Sequence, residues 1–280
     1  MPQHGWPLAL HTWSLDTTPL AEAIAAARAA GFDSLELRRL DFTRCHEKGM
    51  TDADVVALVR AGRLPVAVLG VEYGWIFARG EESARLFRVF EASCANARAL
   101  GCAMLMSAPG PYEGTLDEAV PNLRAAADIA AGHGLRLAFE FNSQHPVINR
   151  LEVLREMIAR AGKANVGMLL DAYHLHRSGR PGRGFDEIDG SELFAFQYSD
   201  VPPVPVGAGI RRPTDRLLPG AGVVRWSEVF SLLAEKGFAG PLSYEAPNPV
   251  LWARDPEEHA RAAVAATRDL LLAAPRRVAA

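Results

Sequence analysis

Four apolar runs from Leu137 onward each end on a side chain that carries oxygen. Leu-Ala-Phe-Glu ends on Glu140, Met-Leu-Leu-Asp on Asp171, Phe-Ala-Phe-Gln on Gln197 (with Asp200 just beyond) and Leu-Ser-Tyr-Glu on Glu245. A lone carboxylate at the end of an apolar strand can face outward and pair with a helix cation. Three carboxylates and an amide at matching positions of successive runs point to one shared centre, where the charges would repel unless a divalent cation lay between them. Oxygen donors suit Mn2+ or Mg2+, with Mn2+ the first choice and Co2+ or Zn2+ as alternatives.

Other groups at the same ends of the runs could act on a ligand. His174 follows Asp171 by three residues and is the candidate acid/base partner of Glu140 and Glu245, themselves candidate bases. His145 lies a short loop beyond Glu140, and His11 ends the first run, either as a pocket wall or as packing. Glu36 and Arg38 alternate with Leu35 and Leu37, so both face the same side, as substrate contacts or as an interior ion pair. Trp13, Tyr73, Trp75 and Trp252 follow run ends, where aromatic walls suit sugar or cyclitol faces; simple packing is the alternative. Arg216 is a candidate clamp for an anionic or hydroxyl group, or else a surface arginine.

The elements that would position these groups alternate along the chain. Eight strand candidates are Leu8–His11, Ser34–Arg38, Ala67–Val71, Ala103–Ser107, Leu135–Phe141, Val166–Asp171, Leu193–Ser199 and Leu242–Glu245. Helical patterns follow at Pro19–Ala30, Asp52–Ala61, Ser83–Leu100, Thr115–Gly132, Arg150–Ala161, near Phe185–Ile188, Trp226–Lys236 and Pro256–Leu272. Strict alternation implies parallel strands, and eight repeats imply closure into an α/β (β/α)8 barrel whose chemistry sits at the strands' C-terminal ends. Gly31, Gly101, Gly134 and Gly237 sit where helices must stop. The stretch 202–219, with five prolines and three arginines, is too long for an ordinary connection and reads as a mobile lid or a cover for the mouth.

Composition narrows the setting. The 280 residues read as one barrel domain spanning 1–280. A net charge of −3 gives no basic field for nucleic acid. Cys45, Cys94 and Cys102 have no paired spacing and read as reduced thiols in the cytoplasm. No leader pattern is visible, and no apolar run is long enough for a bilayer. The glycines of 108–114 and 179–184 lack phosphate-loop or dinucleotide spacing, and no nucleophile elbow is present.

With these segments in order, GFDSLELRRLDF, LAFEFNSQHPVINRLEVL, NVGMLLDAYHLHRSG, FQYSDV, DRLLPGAG and GFAGPLSYEAPNP, the chain resembles the xylose isomerase-like TIM barrel superfamily, the sugar phosphate isomerase/epimerase group. Within it the chain is similar to 2-keto-myo-inositol (inosose) isomerase-type and 3-dehydroshikimate dehydratase-type proteins. The resemblance implies metal ligands at Glu140, Asp171, Gln197 and Glu245. Gln197, where isomerases usually carry His, leans toward the dehydratases. The lack of an Arg after the third strand before Arg79 leans away from them, and LELRRLDF and EFNSQHPVINR lean toward the isomerases. The resemblance implies a divalent-metal-dependent isomerase or epimerase of a keto-sugar or keto-cyclitol, working through a metal-stabilised enediolate. A dehydratase of 3-dehydroshikimate or a related keto-polyol is the alternative. It also implies a homodimer as an option, although no stripe in the sequence marks an interface. An endonuclease on this fold would need more placed histidines and a basic surface, and a non-catalytic barrel would have no use for four intact ligand positions.

Overall fold

Each short apolar run forms a strand, and most amphipathic stretches form the helices that return the chain. The computed structural model describes residues 5–203 and 213–274. In chain order these are β1 (Leu8–His11), α1 (Leu20–Ala30), β2 (Ser34–Leu37), α2 (Arg39–His46), α3 (Asp52–Ala61), β3 (Val66–Gly70), α4 (Gly80–Leu100), β4 (Met104–Ser107) and α5 (Leu116–Gly132). There follow β5 (Arg136–Glu140), α6 (Leu151–Ala161), β6 (Val166–Asp171), α7 (Ala172–Arg177), β7 (Leu193–Tyr198), α8 (Trp226–Glu235), β8 (Leu242–Tyr244), α9 (Pro249–Trp252) and α10 (Pro256–Ala273). Neighbouring strands pair in parallel, and β8 pairs with β1 to close the barrel.

Side-chain alternation divides each strand between two cores. Leu10, Leu35, Leu37, Leu69, Leu105, Leu137, Phe139, Leu170 and Phe196 belong to the large core shared with the helices. Val68, Met106, Ala138, Leu169 and Ala195 form a separate apolar cluster inside the barrel. One step further along the same inward rows come His11, Glu36, Glu140, Asp171, Gln197 and Glu245, all buried. The register keeps these polar residues level: His11 lies opposite Glu36, and Asp171 opposite Gln197.

The floor of the barrel is closed by a register shift between β6 and β7 that leaves Phe194 as the extra residue. Its ring lies 3.5 Å from the Arg136 guanidinium and over Gly167, where an added Cβ would come within 2.2 Å of it. Helices stop as the glycines require: Gly31 and Gly101 take φ of +87° and +72° and cap the ends of α1 and α4.

Two expectations are corrected, and a third falls largely outside the described residues. β2 ends at Leu37 rather than Arg38, because the Asp41 carboxylate accepts the Arg38 N–H at 2.8 Å and starts α2, a helix the pattern did not announce. No helix forms near Phe185–Ile188. That segment is a turn, where Gly184 packs against the Arg180 carbonyl and Phe185 is buried; the helix after β6 is α7. The stretch 202–219 expected as a lid lies outside the described residues between 204 and 212. Among the described residues no helix is long and apolar enough to cross a membrane.

Gly167→Val drives two methyl groups into the Phe194 ring. Overpacking of this kind costs about 1–3 kcal/mol, so a thermal melt should move down by several degrees. A melt unchanged from the parent would show that the floor has slack.

Candidate metal centre and active site

The barrel mouth gathers carboxyl groups that water cannot screen. Glu140 is the last residue of β5 and Asp171 the last of β6, Gln197 is the penultimate residue of β7, and Glu245 directly follows β8. Asp171 also caps α7, accepting the Tyr173 N–H at 2.9 Å, which puts His174 in the first turn at the mouth. Burial pushes the Glu140 carboxyl well above its usual range, with Glu245 and Asp171 adding repulsion. Burial lifts Asp171 to about 7 and Glu36 to about 8, and it raises Glu245 as well.

Arg216 is the cation that stands among them. Its Nη1 lies 2.6 Å from Asp171 Oδ2, 2.8 Å from Glu245 Oε2 and 3.1 Å from the Glu245 carbonyl. The guanidinium lies 4.4 Å from the centre of the Tyr173 ring. The clamp expected for a substrate is therefore turned onto two of the expected ligands.

The donor set fits a divalent ion. Glu140 Oε1 and Gln197 Oε1 are buried with no hydrogen-bond partner. The Gln197 amide donates from Nε2 to Glu36 Oε1 at 2.7 Å, which leaves its carbonyl oxygen as the free end. One ligand atom each from Glu140, Asp171 and His174 lies within 4.8 Å of the others, so these residues can hold a metal ion. Within that cluster the His174 ring is committed elsewhere. Its Nδ1 accepts the Ser143 N–H at 3.2 Å and faces the Ser143 hydroxyl at 2.9 Å, so in the neutral ring the proton is on Nε2. Nε2 lies 3.9 Å from Glu140 Oε1 and, at the limit of a contact, 3.5 Å from Arg216 Nη2. Burial and Arg216 hold the ring well below the usual histidine range, hence neutral. A protonated Nε2 offers no lone pair, and the oxygens of Glu140, Asp171, Gln197 and Glu245 remain.

Beside this centre opens a cavity of about 880 Å³ lined by His11, Trp13, Arg38, Tyr73 and Trp252, among others. Glu36 faces the centre through Gln197, whereas Arg38 pairs with Asp16 at 2.6 Å and Asp41 at 3.0 Å on the cavity wall. Two expected substrate contacts are elsewhere. His145 Nδ1 accepts the N–H groups of Val147 and Ile148 at 3.0 and 2.9 Å, and its Nε2 donates to the Tyr112 carbonyl at 3.0 Å, so the ring pins its own loop. Trp75 is fully buried, packed edge-on against Phe90 and Phe139, and its Nε1 donates to Ser107 at 3.0 Å.

Asp200 went unclaimed in the sequence, yet it fixes the segment that carries Arg216. Its Oδ1 accepts the N–H groups of Val201 and Val224, both at 2.9 Å. Its Oδ2 accepts Gly220 N–H at 2.8 Å and Trp226 Nε1–H at 2.9 Å. Backbone bonds tie Asp200 to Leu217, next to Arg216. The signal was a carboxylate three residues past Gln197 followed by a Pro-Gly-Ala-Gly turn, since an added Cβ at Gly222 would come within 2.5 Å of Asp200 Oδ1.

Residues 24–270 match the family model described as xylose isomerase-like TIM barrel. An inosose isomerase of Halalkalibacterium halodurans is 24% identical over 88% of this chain and 89% of its own length. A 3-dehydroshikimate dehydratase of Pseudomonas aeruginosa is 28% identical over 84% of this chain and 37% of its own length. The crystal structure of the IOLI protein with a bound zinc atom superposes with a TM-score of 0.82 at 23% identity, covering 95% of this chain and 98% of that one.

The raised carboxyls have a measurable consequence. A carboxyl that binds its proton more tightly when folded contributes stability that is complete below the unfolded carboxyl range and is lost as pH rises through the folded value. For Asp171 and Glu36 that loss extends to about pH 7 and about pH 8. The lowered His11 and His174 have the opposite sign: their contribution is complete above the unfolded histidine value and is lost as pH falls. From about pH 7 to about pH 8, already above the unfolded histidine value, the histidines contribute only a small opposing slope that fades toward the upper end. Chelator-treated protein should melt at a lower temperature at the upper end of that window; a rising melting temperature would contradict the buried, protonated carboxyls. Separately, Asp200→Ala strands four N–H donors and should cost more than about 2 kcal/mol, read by denaturant unfolding.

Proposed function

The chain belongs to the xylose isomerase-like TIM barrel family, and we propose that within it this protein is a divalent-metal-dependent isomerase or epimerase of a keto-cyclitol or keto-sugar. The observation that carries the reading is a pair of buried carboxyl groups, Glu140 and Glu245, each beside an imidazole, one of which, His11, also lines the cavity. Glu140, Asp171, Gln197 and Glu245 would hold the ion, with Mn2+ favoured by four oxygen donors. A bound divalent ion supplies Lewis acidity that makes the C–H next to a carbonyl easier to ionise.

The chain's own residues do the rest. One of Glu140 and Glu245, in its ionised form, takes the proton from the carbon beside the carbonyl. Returning it to the former carbonyl carbon, while the hydroxyl on the deprotonated carbon gives up its O–H proton and the former carbonyl oxygen gains one, gives isomerisation; returning a proton to the opposite face of the first carbon gives epimerisation. His174 Nε2–H points toward Glu140, placed to donate to a substrate oxygen beside it. Trp13, Tyr73 and Trp252 on the cavity wall suit the apolar faces of a ring polyol. The ligand is a neutral small molecule.

Gln197 favours a second reading, dehydration of 3-dehydroshikimate. That substrate carries a carboxylate, and among the described residues three of the four arginines lining the cavity are hydrogen-bonded to carboxylates. Arg38 pairs with Asp16 and Asp41, Arg44 with Asp16, and Arg85 with Glu72 and Glu82, whereas Arg39 only comes within 3.7 Å of Asp52 and keeps its buried Nε and Nη1 without a hydrogen-bond partner. Arg79, the first arginine after β3, binds Glu118 on the surface. A neutral keto-polyol needs no spare cation.

Proton NMR in D2O with 2-keto-myo-inositol and the Mn2+-loaded protein tests the reading. Deuterium should enter next to the carbonyl, and Glu140→Gln or Glu245→Gln should each slow exchange by about 10²–10⁴-fold. Protocatechuate formed from 3-dehydroshikimate, without exchange into the cyclitol, would replace this reading with the dehydratase.

A further inference from the structure

A second imidazole reaches the centre from the opposite side of the mouth. His11 is the last residue of β1, level with Glu36, and only 1% exposed, yet it forms part of the cavity wall. Its Nδ1 accepts the Trp13 N–H at 3.1 Å, in the short 3-10 turn that follows β1. That bond fixes the plane of the ring and leaves the proton of the neutral ring on Nε2. Nε2 lies 3.4 Å from Glu245 Oε1 and 3.9 Å from Glu36 Oε1, and it has no hydrogen-bond partner.

A buried N–H without an acceptor is costly, and a fold keeps one where something outside the chain completes it. A metal cannot be that partner, because the protonated nitrogen has no lone pair. An oxygen can. His174 supplies the precedent within the same site: its Nδ1 is also held by a backbone N–H, and its Nε2 also faces a carboxylate, Glu140. Each of the two carboxyl groups thus has one oriented imidazole N–H beside it.

Building on the keto-polyol reading, we infer that His11 is a substrate-binding residue whose Nε2–H donates to a hydroxyl or carbonyl oxygen of the polyol next to Glu245. It selects for an oxygen at that ring position, so an analogue lacking the oxygen there leaves the N–H unpaired again and binds less tightly.

Two substitutions separate this role from packing. His11→Asn keeps a short acceptor for the Trp13 N–H and removes the Nε2 donor. His11→Gln carries an amide N–H out to where Nε2 stood. Calorimetric titration of the Mn2+-loaded proteins with myo-inositol, a polyol that cannot react, should show about tenfold weaker binding for His11→Asn and near-parent binding for His11→Gln. Mn2+ affinity should be the same in all three. With 2-keto-myo-inositol the loss in His11→Asn should appear in KM more than in kcat. In the unsubstituted protein the His11 Nε2–H proton resonance should shift on adding myo-inositol, a readout that needs no variant to fold. Unchanged polyol affinity in His11→Asn, or an unmoved resonance while the polyol binds, would make His11 a packing residue. A matching fall in Mn2+ affinity would place its role at the metal instead. If the parent protein binds no polyol at all, the keto-polyol reading fails and takes this assignment with it.

Discussion

The structure turns on the crowding of negative groups where water cannot reach. Glu36, Glu140, Asp171 and Glu245 are all buried in the polar layer of the barrel. Isolated buried carboxylates are expensive, and each of these shows the cost as a raised carboxyl value. One guanidinium, Arg216, touches Asp171 and Glu245 and offsets part of the charge. The remainder is held as protons in the metal-free protein and would be neutralised by a divalent ion in the loaded one. Protons and metal are thus alternatives at the same oxygens.

The fold supplies this arrangement through two devices. Strand alternation stacks an apolar layer of Val68, Met106, Ala138, Leu169 and Ala195 beneath the polar one, so the acids rest on a dry base, and His11 on their level lines the cavity. The corner around Asp200 fixes the other component. Its carboxylate gathers four N–H donors from 201–226, and its backbone pairs with Leu217, so the residue before Leu217 enters the mouth at a set height. Asn248, which donates to the Arg216 carbonyl at 2.9 Å, and Tyr173 and Arg177, which bond Asp215, hold the same segment from the other side.

Much of this was legible in the residues. Alternating apolar runs closed by glycines gave all eight strands, because parallel strands buried on both faces leave little freedom in pattern or connection. The oxygens of Glu140, Asp171, Gln197 and Glu245 stood out because they interrupt apolar runs at the same relative position. Residues past the strand ends were harder to read. Whether His145 or Trp75 turns inward depends on bonds made by their own loops, to Tyr112 in one case and Ser107 in the other, and no periodicity carries that information. Arg216 was found but not its partners, since its position depends on a carboxylate sixteen residues earlier. The helix α7 escaped because its start is a cap made by Asp171 itself rather than an amphipathic pattern.

The most direct test is calorimetric titration of chelator-treated protein with Mn2+, for the parent chain and for Asp171→Asn. The account predicts one ion per chain, with binding that releases protons near neutral pH, and loss of that binding in the variant. Absence of a saturable site in the parent, or unchanged binding in Asp171→Asn, would contradict the claim that the carboxyl groups at the barrel mouth form a metal centre.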